Sequence, residues 1–257
     1  MRIEKWYLDC VTADGAGMIG YTARMGWGPV VLRCSKTLQW RPGDPTARER
    51  MRWSGVAPTD APENVTWQCR ALAADGQWQR HGAGIATVTL HEEPAGRIEW
   101  TCLCPTAQVS VNVAGRACEG WGYAERLVMT LPAARLPIRE LRWGRFIADA
   151  QSCVWIRWQG PMERNWCFHN GEPVEATMPD LNRLAWHGYG LQLEPGTMLR
   201  TGRVADTALR GAGVLSWLLP ARVRDVQETK WCGRGTLTDP HGRAHLGWAI
   251  HEVATFP

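Results

Sequence analysis

Apolar and polar residues alternate along most of this chain with a period of two. Trp6, Leu8 and Cys10 alternate with Tyr7, Asp9 and Val11. Val65, Trp67 and Cys69 alternate with Thr66, Gln68 and Arg70, and Val109, Val111 and Val113 with Ser110 and Asn112. Successive side chains of a strand point to opposite faces, so each run predicts a half-buried β-strand. Turn-forming residues punctuate the runs at Asp14-Gly15, Glu93 to Gly96, Asn170-Gly171 and Asp239 to Gly242. The Asn-Gly pair is the strongest hairpin signal, because both residues tolerate positive φ. Helical periodicity is almost absent. The pattern predicts an all-β protein of many short strands, a barrel or sandwich.

Two segments break the rhythm. Arg41 to Glu63 is polar and Pro-rich, which predicts a surface loop with one short helix around Thr46 to Met51. Leu131 to Pro137 carries two prolines that interrupt strand pairing, and predicts the boundary between a domain over 1–131 and another over 132–257. A faint internal echo supports two related halves. Trp6 to Trp27 runs aromatic strand, acidic turn, aromatic strand, and Arg142 to Trp158 does the same around Asp149.

Composition changes this picture in one respect. The 257 residues include 16 Trp against 3 Phe and 4 Tyr, so the interior is built largely from indoles. Each buried indole needs an acceptor for its N–H, and its ring face can stabilise a cation. The net charge of +4 is weak and the basic residues form no dense tract, which leaves no footprint for nucleic acid. Asp9 and Asp14 follow Lys5 where the apolar core of a signal peptide would lie, and the most apolar stretch, Gly211 to Ala221, is far shorter than a membrane span. Nine cysteines, an odd number at irregular spacing, read as small buried hydrophobes of a reducing compartment. A cytoplasmic chain without a transmembrane segment is the expectation.

The candidate chemistry centres on one strand. Trp121, Tyr123 and Glu125 are spaced to share a face, with Gly120 and Gly122 on the other. If that face is internal, a carboxyl group sits in an aromatic pocket, where burial disfavours its charged form. A free Glu titrates near about 4.3, so an acid useful at neutral pH needs a rise of roughly two units. The competing reading is an ion pair of Glu125 with Arg126, Arg142 or Arg145 that merely fixes the barrel. Trp248, Ile250 and Glu252 also share a face, so Glu252 competes for the acid role. Trp143, Trp155, Trp186 and His187 are further aromatic or titratable residues suited to lining a substrate cavity.

Other chemistries find little support. His241 and His245 fall on a turn, and Cys102-x-Cys104, with both thiols expected on one strand face, has no second pair to complete a metal site. No Gly-rich phosphate loop and no Gly-x-Ser-x-Gly elbow is present. Neither a metal nor an organic cofactor is expected.

Three stretches, KWYLDCVTADG from Lys5, GWGYAERL from Gly120 and LRWGRF from Leu141, resemble the carotenoid hydratase (hydroxyneurosporene synthase) family of lipocalin-like calycins, including terpenoid cyclases of the merosterolic acid synthase kind. The resemblance implies two consecutive lipocalin-like β-barrel or sandwich halves, and hydration or cyclisation of isoprenoid double bonds. It implies that Glu125 is the proton donor and Tyr123 its neighbour, with Asp at the acid position in the hydratases. The Trp that follows a contributing histidine in those hydratases matches Trp100, but Ile98 occupies the histidine's place. That departure favours cyclisation over hydration.

The function expected is therefore an enzyme that holds an isoprenoid, polyene or prenylated aromatic molecule in an aromatic cavity. Glu125 protonates a double bond, Tyr123 assists, and Trp100 and Trp121 steady the cation. A pericyclase that only folds a polyene, and a non-catalytic lipid or pigment carrier, are the alternatives.

Overall fold

The computed structural model describes residues 1–207 and 221–257, so nearly all of the apolar stretch from 211 to 221 lies outside the described residues. The described chain is almost wholly β, in two sheets. Two compact units divide it: 1–42 with 47–136, and 43–46 with 137–257.

The first unit holds ten strands. They are β1 (Arg2–Val11), β2 (Gly17–Trp27), β3 (Val30–Trp40), β4 (Arg48–Arg52), β5 (Thr59–Asp60), β6 (Asn64–Cys69), β7 (Ala74–Arg80), β8 (Ile85–Glu93), β9 (Gly96–Val113) and β10 (Arg116–Met129). Their order across the sheet is β4-β3-β2-β1-β10-β9-β7-β6-β5, with β8 also on β9. The second unit holds β11 (Glu140–Ala148), β12 (Gln151–Gln159), β13 (Arg164–His169), β14 (Glu172–Pro173), β15 (Arg183–Trp186), β16 (Tyr189–Leu193), β17 (Thr197–Arg203), β18 (Gln227–Thr238) and β19 (Ala244–Thr255). Their order is β14-β13-β12-β11-β19-β18-β16-β15, with β17 also on β18.

The two orders are one arrangement used twice. β1 to β4 correspond to β11 to β14, β6 to β9 to β15 to β18, and β10 to β19. The correspondence reaches individual residues. Val11 pairs with Trp121 in the first unit, and Ile147 with Trp248 in the second. The glycine before each Trp meets the same obstacle: a Cβ on Gly120 would lie 2.8 Å from the carbonyl carbon of Val11, and one on Gly247 2.8 Å from that of Ile147. The sequence echo between Trp6–Trp27 and Arg142–Trp158 is thus the same hairpin, β1–β2 and β11–β12, in each unit. The all-β expectation of two calycin-like halves describes the fold.

Alternation sets the cores. In the first unit Leu8, Cys10, Trp67, Trp78, Val109 and Val111 pack into one cluster; in the second, Phe146, Cys153, Trp155, Trp186, Leu191 and Leu237 do. Three buried indoles of the first unit reach main-chain acceptors: Trp40 donates to the Gly15 carbonyl at 3.0 Å, Trp67 to that of Val56 at 3.2 Å and Trp78 to that of Asp9 at 2.7 Å. Gly15, Asn170 and Gly171 all take positive φ in their turns.

Two expectations need correction. The stretch around Thr46 to Met51 is not helical; Arg48–Arg52 is a strand whose Lys36 to Met51 and Leu38 to Glu49 pairings extend the sheet. Pairing with β3 outweighs the local composition. Cys102 and Cys104 do not share a face. The register between β10 and β9 shifts between Ala124 and Glu125, so Cys104 lies opposite Ala124 and Cys102 opposite Glu125. Cys104 joins the core cluster, and the bulge turns Cys102 to the other side.

Candidate functional site

β10 runs between β1 and β9, and its pairing with β1 is regular. Trp121, Tyr123 and Glu125 lie opposite Val11, Asp9 and Tyr7, which keeps all three on one face. This is the face away from Leu8 and Cys10. Tyr7 in turn lies opposite Tyr21, and Tyr21 opposite Lys36. From the other side β9 contributes Cys102, directly opposite Glu125, and Trp100, opposite Leu127.

These placements converge on one carboxylate oxygen. The Trp100 indole N–H donates to Glu125 Oε2 at 2.5 Å, and the Tyr123 hydroxyl donates to the same oxygen at 2.7 Å. Trp100 and Tyr123 are buried and Glu125 is half-buried. The Tyr7 ring meets Tyr123 edge-on at 5.9 Å and Tyr21 at 5.3 Å, so aromatic rings wall the carboxyl group on the β1 side. Burial, and then the neighbouring Cys102 and Glu125, push the Tyr123 phenol well above its ordinary value. Burial likewise pushes the Cys102 thiol up. Tyr123 therefore stays a proton-bearing donor throughout the working pH range.

Arg126 pairs with Glu4, Arg142 with Glu140 at 2.6 Å, and Arg145 donates to the Trp248 carbonyl at 2.8 Å. Trp121 shares the strand face, but its ring lies edge-on against His81 at 5.5 Å.

The second unit holds the counterpart. Glu252 lies opposite Trp143, as Glu125 lies opposite Tyr7, and Lys230 lies opposite Glu252, as Cys102 lies opposite Glu125. Here the carboxylate faces a cation. Lys230 is buried, forms an ion pair with Glu252, and sits 5.2 Å from the centre of the Trp143 ring. A second buried ion pair, Arg200 with Glu228, adjoins it. His251 stacks on Trp231 at 5.1 Å; burial, and then the Lys230 charge, hold its pKa down to about 4.

The remaining residues chosen from sequence fall elsewhere in the second unit. Trp155 and Trp186 are core residues, and Trp186 stacks on Tyr189 at 5.6 Å. His187 is exposed at a turn with φ 43°. Sequence reasoning did not single out Lys230 or Cys102 as partners of the two glutamates. Glu228, Lys230 and Cys232 alternate along β18, which puts a charged pair on one strand face, and that signal was available.

Solved structures share this fold. Kievitone hydratase from Nectria haematococca superposes with a TM-score of 0.55 at 11% identity, over 98% of this chain and 88% of that one. CghA with Sch210972 superposes with a TM-score of 0.56 at 10% identity, over 99% and 88%. An AttH-like protein from Nitrosomonas europaea gives 0.53 at 12% identity, over 98% and 92%. At these identities the likeness is one of fold. No family model and no curated protein matches the chain.

Proposed function

We propose that this protein is an enzyme acting on a hydrophobic isoprenoid or polyene substrate, with Glu125 as the acid that starts the reaction. The observation that carries this reading is the pair of donors on Glu125 Oε2. With Oε2 accepting from Trp100 and Tyr123, a proton carried by the carboxyl group belongs on Oε1. Transfer of that proton to an alkene carbon leaves the negative charge shared with Oε2. Hydrogen bonds to a charged acceptor are roughly twice as strong as neutral ones, so both donors bind the product carboxylate better than the acid. The preference for the state formed during proton transfer is what lowers its barrier.

The cation formed on the substrate then has two fates. Attack by a second double bond closes a ring, and loss of a proton back to Glu125 completes an isomerisation. Capture by water gives a hydration product. Ile98 in place of the hydratase histidine favours ring closure. The fold shared with kievitone hydratase supports hydration as the second reading. The enzyme reading also draws on CghA, a protein of this fold solved with a small molecule bound.

Reaction in deuterium oxide separates the possibilities. Proton-initiated cyclisation of a linear or prenylated aromatic substrate incorporates one solvent deuterium into an isomeric product. Hydration adds the elements of water as well. A pericyclic reaction gives an isomer without deuterium, and binding without conversion supports a carrier; either result sinks the acid role.

A further inference from the structure

The core-facing side of β1 continues past Leu8 and Trp6 to Glu4 and Arg2, because the β1–β2 register runs without a break. There the face changes from apolar to cationic. Glu4 lies opposite Arg24, and Arg24 opposite Arg33; one row further out Arg2 lies opposite Gly26, and Gly26 opposite Val31. Three guanidinium groups, on Arg2, Arg24 and Arg33, thus occupy one patch on adjoining strands. The acid of the row, Glu4, is bound by Arg126 from β10. Arg2, Arg24 and Arg33 take part in no ion pair among the described residues.

Like charges directly opposite one another on paired strands repel and destabilise the sheet. Arg33 stands in that relation to Arg24, and Arg24 lines a groove of about 330 Å³ together with Arg2, Glu4, Met1 and Val31. Gly26 and Gly28 complete its lining, and a Cβ on Gly28 would meet nothing within 4 Å. The volume lies at the lower end of the range for small-molecule sites. The groove's apolar lining is exposed: Met1 is 36% exposed and Val31 37%.

We propose that this groove binds the phosphate group of an amphipathic phosphate monoester, with Arg24 and Arg33 bridged by the phosphate oxygens and the hydrocarbon lying along Met1 and Val31. A dianionic group between two facing guanidinium groups turns repulsion into charge-assisted hydrogen bonds, and the planar fork of arginine suits phosphate oxygens. A neutral lipid would leave the repulsion in place. Phosphate as a free ion would leave the apolar lining unused. The site is separate from Glu125, which faces the other side of the sheet, and the inference stands without the acid reading.

Calorimetric titration of the full chain with geranyl phosphate tests it, with geraniol, inorganic phosphate and phosphatidic acid vesicles as separate arms. Geranyl phosphate is expected to bind at least about ten-fold more tightly than geraniol or inorganic phosphate, as one charge-assisted contact is worth. Arg24→Gln and Arg33→Gln should each weaken it about ten-fold. The same two arginine variants should raise the melting temperature of the ligand-free protein, which shows that they fold and that the repulsion is real. Equal binding of geraniol, or wild-type affinity in both arginine variants, overturns the proposal. So does inorganic phosphate binding as tightly as geranyl phosphate, or binding confined to vesicles.

Discussion

Glu125 and Glu252 occupy the same position in two copies of one strand arrangement. Each faces an aromatic residue on the first strand of its unit, Tyr7 or Trp143. Each also faces a residue of the long strand on its other side, Cys102 or Lys230. The second pair of positions separates them. Glu125 Oε2 accepts from an indole and a phenol, whereas Glu252 is ion-paired with a buried ammonium group. A neighbouring cation favours the charged form of a carboxyl group. The repeat therefore offers two candidate acids and assigns one of them a structural partner.

That assignment predicts the behaviour of Lys230. Replacing it with Met leaves Glu252 without its counter-ion beside a buried position, and should cost about 3–5 kcal/mol of stability. Adding Glu252→Gln to Lys230→Met should recover most of the loss, since the pair then disappears together. Urea denaturation of the three variants measures both effects.

His251 predicts a pH dependence of stability. Its folded-state pKa of about 4 lies below the ordinary histidine value. Between about pH 4 and 6.5 the unfolded chain binds the proton and the folded one does not, so stability rises with pH across that window. The penalty is absent above the window and complete below it, amounting to about 3 kcal/mol. His251→Phe should flatten this part of a denaturation-against-pH curve; an unchanged slope would show that other groups set it.

Tyr123→Phe removes one of the two donors to Glu125 Oε2 and keeps the ring. Turnover should fall roughly ten- to hundred-fold, as for loss of a hydrogen bond to a charged acceptor. KM should move little, because the contact strengthens as the proton leaves rather than on binding. Steady-state kinetics on a converted substrate separate the two quantities.

Much of the frame was legible in the sequence. Alternation at Val65–Cys69 and Val109–Val113, with the turns at Asp14-Gly15 and Asn170-Gly171, marked strands that the fold contains. The spacing of Trp121, Tyr123 and Glu125 placed them on one face. What local reading lacked was register. Arg48–Arg52 has no strand pattern of its own and is extended because β3 offers it partners. The Trp100 contact with Glu125 crosses two strands at a bulge, and the same bulge puts Cys102 and Cys104 on opposite faces. A one-residue shift reverses a side chain's direction, and the one local signal for it was Pro105, next to Cys104, since a proline inside a strand marks an edge or a bulge.

The most direct test compares products formed by the wild type, Glu125→Gln and Glu252→Gln from linear polyene and prenylated aromatic substrates, read by mass spectrometry. The account predicts conversion by the wild type and by Glu252→Gln, and its loss in Glu125→Gln with the fold intact by circular dichroism. Conversion that survives Glu125→Gln would contradict it.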